Sequence, residues 1–79
     1  MITTSRYASK ETKAEAKKLS KINSQKYVAR GKKTVEELVE LARRTGEESI
    51  QILEEQEKQP KKISIIKVDE LGRWKWISN

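Results

Sequence analysis

The sequence predicts an α/β domain with a small mixed sheet, its elements in the order β-α-β-α-β-β and a further strand at the end. Three observations carry this reading. Short β-branched runs alternate with helical patterns through the first half of the chain, which favours a sheet that begins parallel. Two apolar runs, around Ile50–Leu53 and Ile63–Val68, then read as an antiparallel hairpin. A chain of 79 residues holds one domain, residues 1–79, and its 17 Ile, Leu and Val side chains with no Phe make a thin core.

Ile2, Thr3 and Thr4 favour extended structure and give the first strand. Ser9 suits the N-cap of a helix running to about Ile22, with Glu11 placed well for the helix dipole. At helical spacing, Ala8, Thr12, Ala16, Leu19 and Ile22 share one side, while Lys10, Lys13, Lys17 and Lys21 fill a narrow arc opposite. Asn23-Ser24-Gln25 is a loop by composition, and Tyr27-Val28-Ala29 is the second expected strand. Gly31 can take the positive φ that turns the strand end.

Thr34 and Glu37 form a capping box for a second helix, whose stripe is Val35, Leu38, Val39, Leu41 and Ala42 and whose stop is Gly46. In the hairpin, Ile50 and Ile52 alternate with polar residues and Leu53 extends the run. Ile63, Ile65 and Val68 answer them with Ile66 on the other face, across a polar loop that contains Pro60. Leu71-Gly72 turns the chain into Arg73-Trp74-Lys75-Trp76-Ile77, a last strand whose two Trp share a face and either cover the sheet, the favoured reading, or stack on unpaired bases.

The absence of Cys and His removes disulfides, thiolate metal sites, the Cys nucleophile and the commonest general base. No enzyme, cofactor or small-molecule substrate is expected. No window approaches the apolar run of about 18 residues that a membrane span needs, so a soluble cytoplasmic protein without membrane contact is expected. Glu47-Glu48 and Glu54-Glu55-Gln56-Glu57 lack metal-ligand spacing and read as solvated charge. Abundant Lys and Glu also hint at a thermophile.

Charge points to function more directly. Residues 1–35 carry ten Lys and Arg against two Glu, a net of +8, whereas residues 36–79 are at −2. A basic half joined to a near-neutral half suits nucleic acid or an acidic protein surface. Ligands gather at the carboxyl ends of parallel strands, which places Thr3-Thr4-Ser5-Arg6 and Arg30-Gly31-Lys32-Lys33 on one edge, suited to phosphate oxygens. The alternative is that the threonines merely favour the strand and the cations are solvated. Lys10, Lys13 and Lys17 extend the track or form an ordinary wet helix face. Tyr7 and Tyr27 flank the two turns and could stack or hydrogen-bond there, with packing the favoured role.

Ile2-Thr3-Thr4-Ser5-Arg6, a Ser/Lys-rich helix, and Tyr27-Val28-Ala29-Arg30-Gly31-Lys32 leading into an amphipathic helix together resemble the start of the Brix domain, in particular its short archaeal versions. That resemblance implies a ribosome-biogenesis factor that binds ribosomal RNA or its precursors in a pre-ribosomal particle. It also implies a fold similar to the anticodon-binding domain of class IIa aminoacyl-tRNA synthetases. The RNA contacts it implies are Thr4, Ser5, Arg6, Arg30 and Lys32; Lys33 and the helix lysines rest on charge. This chain has Ala29 where the family often has a polar residue before Arg-Gly. A full Brix domain has two such halves and this sequence has one, so the chain is either a piece of a longer protein or a half that pairs with itself or with another chain. The competing reading is a protein-interaction module that dimerises or docks a partner through a sheet edge without binding RNA.

Overall fold

A computed structural model describes residues 1–55 and 62–78. Its elements are β1 (Ile2–Thr4), α1 (Lys10–Ile22), α2 (Val35–Thr45), β2 (Ser49–Glu54), β3 (Lys62–Val68) and β4 (Trp74–Ser78). The four strands lie in the order β1-β2-β3-β4. β1 and β2 are parallel, whereas β2–β3 and β3–β4 are antiparallel. The expected mixed α/β sheet is therefore present, parallel where helices lie between the paired strands and antiparallel between strands that follow one another. The loop expected at Pro60 lies outside the described residues.

The run at Tyr27-Val28-Ala29 differs from the expected strand. It contributes a single parallel bridge, Tyr27 to Ile2, held by Ile2 N donating to Lys26 O (2.8 Å) and Val28 N donating to Ile2 O (2.9 Å). β1 is three residues long, so little strand is available for it to pair with. The short segment nevertheless covers the outer edge of β1, and the full parallel neighbour of β1 is β2.

Pairing fixes which helix covers which face. Thr3 lies opposite Ile52, and Ile52 opposite Ser64, so these residues point one way while Ile2, Thr4 and Leu53 point the other. Leu38, Val39 and Ala42 of α2 close the first face over Met1, Ile50, Ile52, Ile66 and Val68. Ala16 of α1 closes the second over Ile2 and Leu53, with Leu19 and Tyr27 packed at the margin. The helices thus flank the sheet on opposite sides.

Two apolar assignments shift. Ile22 is exposed, and Ser20 is buried in the last turn of α1. In β3 the buried set is Ser64, Ile66 and Val68, with Ile63 exposed and Ile65 half-buried. The register with β2 chooses this phase, because Ile66 lies opposite Ile50 and a one-residue slip would turn every side chain over.

The helix ends follow their local chemistry. Thr34 Oγ1 accepts from Glu37 N (3.2 Å) and Glu37 Oε1 accepts from Thr34 N (3.2 Å), the reciprocal capping box. Gly46 closes α2 in the left-handed region at φ 76°. Trp74 joins the α2-side core and meets Trp76 edge-on at 6.2 Å, while Trp76 remains exposed.

Candidate nucleic-acid interface

Parallel pairing of β1 with β2 brings the carboxyl ends of both strands to one edge, and Ser5 N donating to Leu53 O (3.0 Å) carries the pairing one residue past β1. The turn after Tyr27 reaches the same edge through Arg30. Its Nη1 donates to Thr4 O at 3.0 Å and its Nε to Lys33 O at 2.7 Å, tying the end of β1 to the turn that enters α2. The expected meeting of the Ser5-Arg6 and Arg30–Lys33 segments on one edge is therefore geometric fact.

The same contacts divide the nine candidate residues by accessibility. Arg30 is 8% exposed, and Thr4 is buried with its hydroxyl donating to Ser5 O (3.1 Å). Ser5 is half-buried, and Lys33, also half-buried, donates from Nζ to Ala29 O (3.1 Å). Arg6, Lys10, Lys13, Lys17 and Lys32 are exposed. Burial lowers the Arg30 pKa from its ordinary value, the nearby Arg6 charge lowers it further, and Glu54 opposes both.

The start of α1 is different from the open anion site its sequence suggests. Ser9 caps the helix, its Oγ accepting from Thr12 N (3.3 Å). Glu55, one residue beyond β2, then places Oε1 where Ser9 N (2.6 Å) and the Thr12 hydroxyl (2.5 Å) donate to it. The anion at this helix N-terminus is thus a side chain of the protein itself. Glu47 is likewise engaged, pairing with the Met1 α-amino group at 3.0 Å. Reading these glutamates as solvated charge missed both contacts, because each depends on where β2 lies in the sheet.

Along α1 the lysine arc faces outward, as its spacing predicts, and Lys17 Nζ stands 5.7 Å from the Tyr27 ring. The described ion pairs of the arginines cluster elsewhere: Arg43 and Arg44 with Glu40 on α2, and Arg73 with Asp69 beside β4. An open groove of about 760 Å³ lies at the opposite edge of the sheet, lined by Arg43, Glu47, Glu48, Asp69 and Arg73, and its charge is mixed. Among the described residues no group of three acidic side chains could hold a metal ion, and no helix is long and apolar enough to cross a membrane.

Among solved structures, the chain is similar to Mil, an archaeal Imp4-like protein. The two are 29% identical over 92% of this chain, with a TM-score of 0.73. The chain spans 45% of the length of Mil. The likeness thus takes in nearly all of this fold and under half of its neighbour. No family model matches the chain, and no curated protein does.

Proposed function

We propose that this protein is a Brix-type ribosome-biogenesis factor that acts by binding structured ribosomal RNA or its precursor rather than by catalysis. The observation that carries this reading is the outward lysine face of α1, continuous in sequence with exposed Arg6, in a chain similar to an Imp4-like protein. Arg6, Lys10, Lys13, Lys17 and Lys32 make the phosphate contacts, with Ser5 and Lys33 at their margin. Thr4 and Arg30 hold the edge from inside. With few side chains suited to reading bases, specificity comes mainly from RNA shape. A cytoplasmic, archaeal setting in a pre-ribosomal particle fits this chemistry, and a chain with neither His nor Cys has few groups able to run acid–base or nucleophilic steps near neutral pH.

Binding of a ribosomal RNA fragment, followed by fluorescence anisotropy, tests the reading. Arg6→Ala/Lys10→Ala/Lys13→Ala should weaken binding strongly, while Arg43→Ala/Arg44→Ala should change it little. Equal weakening by the two sets would leave a general charge effect and remove the proposed edge.

A second reading has its own support. β4, the outermost strand of the sheet, carries the exposed side chains of Trp76 and Ile77, and the chain spans under half of its neighbour. A surface of that kind suits a second copy or a complementary half-domain. Sedimentation over a range of concentrations separates the two readings: a stable dimer indifferent to RNA favours the protein-interaction module.

A further inference from the structure

Tyr7 departs from the packing role expected of it. It lies in the turn between β1 and α1 and is 83% exposed, whereas Tyr27 packs beside Ile2 and Leu53. Its backbone is left-handed at φ 61°, a region that residues with a Cβ enter at a cost and that glycine enters freely. The turn needs that conformation, yet it carries a large ring facing solvent. Strain of this kind, retained with an exposed aromatic beside a basic edge, points to a contact made by the ring.

The surroundings specify the contact. The Arg6 guanidinium carbon stands 5.6 Å from the centre of the Tyr7 ring, so a cation and an aromatic face are offered together. The helix N-terminus just beyond, which would otherwise attract a phosphate, is already closed by Glu55. What this junction presents outward is an arginine and a ring, with Lys10 on the next turn of chain. Aromatic faces stack on any base, and an adjacent cation holds the phosphate.

Resting on the RNA-binding reading above, we propose that Tyr7 is a stacking platform for an unpaired nucleobase, with Arg6 engaging the adjoining phosphate. The contact assigns this edge a single-stranded element, a loop or an end, within the bound RNA. It adds base stacking to a surface otherwise built for phosphates.

The test compares the full protein with its Tyr7→Gly and Tyr7→Phe variants. Each is titrated with a mixed-sequence single-stranded RNA of about ten nucleotides and with an abasic strand of the same length. Glycine suits the left-handed position, so Tyr7→Gly keeps the fold, checked by a thermal midpoint no lower than that of the parent. The expected result is an affinity for RNA about 5- to 100-fold weaker in Tyr7→Gly, unchanged affinity for the abasic strand, and near-parental behaviour of Tyr7→Phe. Equal RNA affinity in Tyr7→Gly and parent overturns the platform and leaves the RNA-binding reading standing. Equal weakening toward both strands also overturns it, because the ring then acts on the phosphate contacts rather than on a base. A parent protein that binds neither strand nor a structured ribosomal RNA fragment removes both proposals.

Discussion

At the scale of single residues, the same sequence feature can serve inside or outside the fold, and burial decides which. Arg30 looks from its neighbours Gly31 and Lys32 like a surface phosphate ligand, yet its guanidinium is enclosed and donates to two carbonyls. Arg30→Ala should therefore destabilise the fold by about 2–4 kcal/mol in urea denaturation, since both carbonyls lose a charged donor. A loss under about 0.5 kcal/mol would show that the tie is dispensable. Thr3 behaves in the opposite way. It is fully buried and its Oγ1 has no hydrogen-bond partner, although it stands in the stretch that most suggests phosphate binding. Thr3→Val replaces that hydroxyl with a methyl of similar shape, and the melting midpoint should rise by an amount equivalent to about 1 kcal/mol. A fall in the midpoint would mean that the hydroxyl has a partner.

At the scale of elements, ends and turns are written locally. Thr34 with Glu37, and Gly46 after Arg44, need no distant contact to start and stop α2, and all are legible in order along the chain. The β3–β4 turn is another local device. Asp69 accepts from Leu71 N and Arg73 N, each at 2.9 Å, and pairs with Arg73 Nε at 2.9 Å, while Gly72 supplies a positive φ of 81°. The backbone hydrogen bond from Arg73 and the Arg73 charge hold the Asp69 carboxyl below its ordinary range. A carboxyl whose folded pKa is depressed contributes stability that is present above its unfolded value, about 4, and is lost as pH falls through the folded value. The gap in melting midpoint between the parent and Asp69→Asn should thus be widest near neutral pH and close on acidification below about pH 4. A gap that stays constant across that window would mean the turn does not depend on the charge.

Strand phase is an element property that local sequence left open. Ile63, Ile65, Ile66 and Val68 supply apolar residues to both faces, so alternation alone does not choose between them. Pairing with Ile50 and Ile52 does, because α2 covers that face. Tyr27-Val28-Ala29 illustrates the reverse case, a β-prone run with too short a partner to become a strand.

At the scale of the whole molecule, the basic half and the near-neutral half are woven together rather than set side by side. β2, from the second half, pairs directly with β1 and brings Glu54 and Glu55 to the basic edge. The outward track on α1 remains, and it sets the ionic-strength dependence of the proposed RNA binding. Five phosphate contacts from Arg6, Lys10, Lys13, Lys17 and Lys32 give a slope of about −4 in log affinity against log salt. Lys10→Ala/Lys13→Ala should make the slope shallower by about 1.5, whereas Arg43→Ala/Arg44→Ala should leave it alone. Slopes that fall equally in both variants would mean that the RNA has no preferred face.

The sequence by itself determined both helices, every strand but the one expected at Tyr27-Val28-Ala29, the helix caps and the segregation of charge, because periodicity, capping chemistry and charge density are properties of neighbours along the chain. It also placed Arg6 and Arg30 on one edge, since parallel strands joined through helices bring their carboxyl ends together. Tertiary structure alone decided which of those residues face water. Arg30 and Thr4 turned inward, Glu55 took the helix N-terminus, and Tyr7 was left in solvent. The Glu55 contact depends on β2 lying beside β1, and the Arg30 tie on Thr4 O far back along the chain, long-range contacts that no local window contains.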